Sequence, residues 1–127
     1  MGKKLTAAMV LVVLVLSLGT AGASARWDKG AECDDDFYVS GMTAHCYLAV
    51  TASDSAKITA TVQIIRINSD GSRTAVKAWN GLTGTGSLIF SETHTSSLLA
   101  PSATYRMYYS VDVAGVDSIE DYVEFEK

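Results

Sequence analysis

Histidine, cysteine and basic residues are scarce in this chain, and each scarcity removes a class of chemistry. His45 and His94 are the only histidines a Ser–His–Asp site could draw on, and no G-x-S-x-G elbow accompanies them. A domain of this size also has little room for a pocket with a water-excluding wall, so both histidines read as outward-facing strand residues. A metal site built on the two cysteines, Cys33 and Cys46, needs two further ligands, and His45 is the only close candidate. No paired carboxylates stand in an apolar context, as glycosidase chemistry requires. Gly81, Gly84 and Gly86 precede no helix, which argues against a phosphate-cradling loop. Neither catalysis nor a metal or other cofactor is expected. Lys and Arg number 10 against 14 Asp and Glu, a balance that disfavours nucleic acid and anionic membrane surfaces as partners.

The one long apolar run is at the N-terminus. Lys3 and Lys4 precede the uncharged stretch Ala7 to Leu18, and small polar residues follow, ending in Ala23-Ser24-Ala25. That order predicts a signal peptide over residues 1–25, cleaved after Ala25. The alternative, a membrane anchor, needs about 20 apolar residues, and this run is well short of that. No Cys directly follows the run, no second apolar segment appears, and the chain reaches Lys127 without a recognisable sorting signal. The expected product is secreted and extracellular, with no membrane insertion after processing. It carries 8 basic and 14 acidic residues, a balance of −6 once the two leader lysines are gone, and its length suits one domain. An oxidising compartment and an even cysteine count make a Cys33–Cys46 disulfide the default, with free thiols or a metal site as alternatives.

Beyond the leader, short runs of period 2 alternate with Gly, Ser, Asn and Asp, the spacing of an all-β sandwich. Residues 26–36, including Asp34-Asp35-Asp36, read as an acidic N-terminal segment, and 37–127 as the sandwich domain. In Ala44–Val50, Ala44, Cys46, Leu48 and Val50 share one face, and His45 and Tyr47 the other. Lys57–Ile67 alternates until Ile65 and Ile67 fall on the wrong parity, which predicts a bulge or burial on both faces. Asn68-Ser69-Asp70-Gly71 is a hairpin turn into Arg73–Trp79. A Gly-rich loop over 80–86 then leads to Leu88–His94. The clearest strand places Tyr105, Met107, Tyr109, Val111 and Val113 inward. After a turn at Gly115, Ile119, Val123 and Phe125 alternate with polar residues, and Asp121, which breaks the apolar face, is expected near the rim.

Six to seven strands with hairpin links predict an immunoglobulin-like β-sandwich. Leu99, Pro101 and Tyr105 form L-x-P-x-x-x-Y, which is similar to the tyrosine corner of fibronectin-type and related sandwiches. The resemblance implies that the Tyr105 hydroxyl bonds back to backbone in the preceding loop. The order TAHCYLAVTA, KITATVQIIRINSDGSRTAVKAWNG, ATYRMYYSVDV resembles small uncharacterised exported proteins of Gram-positive bacteria. That resemblance implies a sandwich fold and no known activity.

Two further features bear on binding. Asp34-Asp35-Asp36 supplies hard oxygen ligands for calcium, but adjacent carboxylates on an extended chain point alternately, so a solvated acidic linker is the preferred reading. Asn68–Gly71 lacks both the first acidic ligand, where Arg66 stands, and the bidentate Glu of a calcium loop. Tyr108 and Tyr122 face outward on strands expected to be neighbours, and Trp79 lies on a strand able to join them. The three form a candidate binding face for a sugar or a protein, against the alternatives of cross-strand packing or a Trp79 turned into the core. The expected function is a non-enzymatic secreted interaction module near the cell envelope, with an unknown protein or cell-wall glycan as partner. A small secreted effector, either an enzyme inhibitor or an antimicrobial protein, is the alternative.

Overall fold

A computed structural model describes residues 25–26, 31–53 and 55–127. The expected leader therefore lies outside the described residues except for Ala25. Most of the described chain is strand: β1 (Ala25–Arg26), β2 (Glu32–Ser40), β3 (Thr43–Thr51), β4 (Lys57–Ile67), β5 (Arg73–Thr85), β6 (Ser87–Thr95), β7 (Thr104–Val113) and β8 (Asp117–Glu126). Among the described residues a single 3-10 turn, Ser97–Leu99, interrupts them, with the Ser96 side chain accepting from the Leu98 amide.

Every pairing is antiparallel, in the order β1-β2-β3-β6-β5-β4-β7-β8. β5 and β6 share one bridge, Thr85 to Ser87, so the ladder turns at Gly86 into two sheets, β1-β2-β3-β6 and β5-β4-β7-β8. They pack as a β-sandwich. The inward residues of β3, Ala44, Cys46, Leu48 and Val50, face those of β4 and β7, and all are buried. This follows from strand parity, since alternate side chains line one face of a pleated strand.

The hairpin at 68–71 closes through Gly71 N–H donating to the Asn68 carbonyl at 2.9 Å. Gly71 has φ +88° there, a backbone conformation that L side chains rarely adopt. The parity break on β4 is not a bulge of that strand, because the β4–β7 register runs unbroken from Ile58 to Ile67; Ile65 and Ile67 lie half-buried on its other face. The bulges lie on β5 instead, where Val76 has no counterpart on β4 and the pair Asn80–Gly81 stands against the single residue Thr61.

Three expectations are corrected. The acidic segment is not separate from the sandwich over residues 31–36: β2 begins at Glu32, and Ala31 and Cys33 are each 1% exposed. Residues 80–85 are strand rather than loop, because β5 continues to Thr85. Cys33 and Cys46 form no disulfide; both are free, buried thiols. The register explains why. Cys33 stands opposite Val50 and Cys46 opposite Phe37, a stagger of four residues or roughly 13 Å along the strands. A disulfide needs Cα atoms within about 7 Å.

Candidate binding face

The sequence-predicted face is only partly assembled. Tyr108 and Tyr122 are cross-strand partners on β7 and β8, with ring centroids 5.1 Å apart. Trp79 does not join them. It stands opposite Val62, packs edge-on against Phe90 at 5.0 Å, and belongs to the space between the sheets. His94 lies 6.3 Å from the Trp79 ring, so it too turns inward, contrary to the outward orientation expected.

The tyrosine pair is also occupied from within the chain. Arg106 and Arg73 both donate to the Tyr108 hydroxyl, at 2.7 Å and 3.0 Å. The Arg106 guanidinium sits 4.3 Å from the Tyr122 ring centroid and pairs with Glu124 at 2.8 Å. Burial works against the Arg106 charge, but Tyr108 and Glu124 outweigh it and hold its pKa above the usual arginine value. Both tyrosines are half-buried. A stack capped by a cation and with its hydroxyl already bonded has little surface left for a ligand.

The Leu99–Pro101–Tyr105 segment is structural. The Tyr105 hydroxyl donates to the Pro101 carbonyl at 2.7 Å, and the Leu98 carbonyl lies 3.5 Å away. Leu99 and Tyr105 are fully buried.

Exposed aromatic surface lies on the opposite sheet. On the outer face of β2-β3-β6, Tyr38 pairs with His45, the rings stacked at 4.4 Å and 9°. Tyr47 follows two residues along β3. Tyr38 is 42% and Tyr47 37% exposed, and Ile89, on the same face of β6, is 70% exposed. Asp36, Tyr38, His45, Tyr47, Ser91 and Thr93 border a shallow hollow of about 130 Å³. Period-2 alternation in Cys33–Ser40, with Cys33, Phe37 and Val39 against Asp34, Asp36 and Tyr38, was the signal that would have placed Tyr38 here. The aspartate run masked it.

A second group lies inside the sandwich, between β2 and β7. Asp35 points inward between Cys33 and Phe37 and accepts from the Tyr109 hydroxyl at 2.5 Å. Its other oxygen, Oδ1, is buried without a hydrogen-bond partner among the described residues. Burial raises the Asp35 pKa above its ordinary value; the Tyr109 bond opposes this in part, and Asp121, Asp34 and Asp36 add to the rise. Asp121 stands opposite Tyr109 in the β7–β8 register. Burial likewise pushes the Cys33 and Cys46 thiols up to about 12, so neither is a nucleophile at neutral pH. No group of three or more His, Cys, Asp or Glu able to hold a metal ion occurs among the described residues.

No protein-family model and no curated protein matches this chain. Among solved structures the chain is similar to Spo0M, a sporulation control protein from Bacillus subtilis, at 15% identity and a TM-score of 0.40, over 77% of this chain and 50% of that one.

Proposed function

We propose that this chain is an exported, non-enzymatic interaction module of immunoglobulin-like type, which acts at or near the cell envelope and binds through the outer face of β2-β3-β6. One observation carries the binding reading: Tyr38 and Tyr47 stand exposed beside His45 over a shallow hollow, with no arginine or lysine on β2, β3 or β6 to cap them. Aromatic side chains left open on a rigid sheet supply contact area at small entropic cost. The immunoglobulin-like type is supported by the strand order, with β2-β3-β6 in one sheet and β5-β4-β7-β8 in the other. It is supported too by the Tyr105 bond to the loop before β7. Export rests on the leader pattern of residues 1–25.

Two measurements test this. The exported protein is expected to begin at Arg26 by mass spectrometry; a Met1 terminus on membrane-bound protein overturns export. In a retention assay on whole cells and isolated cell wall, Tyr38→Ala/Tyr47→Ala is expected to lose retention while keeping the fold. Tyr108→Ala/Tyr122→Ala is expected to stay bound. The reverse result returns the site to the β7–β8 face.

A further inference from the structure

The composition of this face narrows its partner, given the reading that the face binds. Strands β2, β3 and β6 contain five acidic residues, Glu32, Asp34, Asp35, Asp36 and Glu92, and no Lys or Arg. Asp35 points inward; Glu32, Asp34 and Asp36 alternate outward by parity. Every described lysine and every arginine with a described side chain (Lys57, Arg66, Arg73, Lys77, Arg106 and Lys127) lies on β4, β5, β7 or the C-terminus. Asp36 borders the hollow together with the Tyr38–His45 stack and Tyr47. A carboxylate beside electron-rich ring faces is complementary to a cation, by charge and by the ring quadrupole.

The size of the hollow sets the scale of that cation. About 130 Å³ is below the usual range of roughly 300–1,000 Å³ for small-molecule pockets, so it admits one cationic head group and not a run of sugar rings. The neighbouring surface favours a protein over a glycan. Ile89 shares this face at 70% exposure, an aliphatic anchor that a protein surface would bury and a hydrated sugar would not. We propose that the β2-β3-β6 face docks a protein partner by taking one of its Lys or Arg side chains into the hollow between the Tyr38–His45 stack and Tyr47, with Asp36 as counter-charge and Ile89 as the adjoining apolar contact.

The test uses the exported protein, labelled with nitrogen-15, and a hexa-lysine peptide as probe, with hexa-serine, a chitosan oligosaccharide and a chitin oligosaccharide alongside. Hexa-lysine is expected to shift the amide resonances of Tyr38, His45 and Tyr47, and hexa-serine is not. Asp36→Asn is expected to weaken hexa-lysine binding at least tenfold. Its new amide group leaves an oxygen to accept from the Phe37 amide, as Asp36 does at 3.0 Å, so the fold should hold. Glu126→Gln, the same charge removed from β8, should change little. Equal weakening by both variants reduces the effect to net charge and overturns the proposal. Shifts from chitosan but not hexa-lysine overturn the protein partner in favour of an amine-bearing glycan, and shifts from chitin alone overturn the cation. The retention assay separates this inference from the reading beneath it. Retention lost in Tyr38→Ala/Tyr47→Ala but untouched by Asp36→Asn and Ile89→Ser sinks the cationic protein partner alone. Retention unchanged in the tyrosine variant sinks the face itself.

Discussion

Asp35 is the residue whose surroundings differ most from what its neighbours in sequence suggest. Within Asp34-Asp35-Asp36 it reads as solvated, yet on β2 it alternates inward and bonds Tyr109 across the sandwich. Three consecutive aspartates conceal a period of 2, because an acidic residue at an inward position leaves no apolar mark. The consequence is a pH dependence of defined sign. The folded-state pKa lies above the ordinary 3.8, chiefly through burial, so the folded chain keeps a proton that the unfolded chain has lost. The stability this contributes is complete below the unfolded value and is lost as pH rises through the folded one. Asp35→Asn, which still accepts from Tyr109 and carries no charge, is expected to raise the Tm at pH 7 and to bring no gain at pH 3. A gap of the same size at both pH values would show that the carboxylate's charge is not the cause. Tyr105 was more legible, since its Leu-x-Pro-x-x-x-Tyr spacing resembles a tyrosine corner. Tyr105→Phe removes the bond to the Pro101 carbonyl and is expected to cost about 1 kcal/mol in urea unfolding. A neutral result would make Tyr105 an ordinary core aromatic.

At the level of elements, β3 and β7 are plain in the sequence because their inward apolar residues alternate without interruption, and β4 is plain as far as Ile64. β5 is not. Glycine is depleted from strands, so residues 80–86 look like a loop, although the strand continues to Thr85. The glycines are there for geometry: Gly81 is part of a bulge, and Gly84 and Gly86 form the corner where one sheet passes into the next. A Cβ at Gly84 would lie 2.2 Å from the Ser87 carbonyl oxygen, a backbone atom that cannot swing aside. Gly84→Ala is therefore expected to destabilise by about 1–3 kcal/mol, the usual cost of overpacking, read as a lower urea midpoint at unchanged slope. A midpoint equal to the parent's would mean that the corner is free to relax. The proposed binding face was missed for a related reason. Tyr38 sits on β2, and without β2 the exposed Tyr47 and His45 had no neighbour to form a site with.

For the whole molecule, the all-β class and the hairpin links were readable from composition and spacing, because they depend on local alternation and turn residues. Register was not, and register decides the cysteines. An oxidising compartment and an even count argue for a bridge, but those arguments concern chemistry that is available, and the four-residue stagger between Cys33 and Cys46 concerns distance. The sandwich must then be held by its packed core, in which Leu48, Ile58 and Val111 are fully buried, with no cross-link to limit the unfolded chain. Reductant is accordingly expected to leave the Tm unchanged, whereas removing a disulfide would lower it by several degrees. Because burial holds both thiols near pKa 12, a thiol reagent at pH 8 should find almost no thiolate in the folded protein. In denaturant the same reagent should count two thiols without prior reduction. If it counts none until reductant is added, the two strands have slid from the register described, and with them Tyr38 from its place against His45.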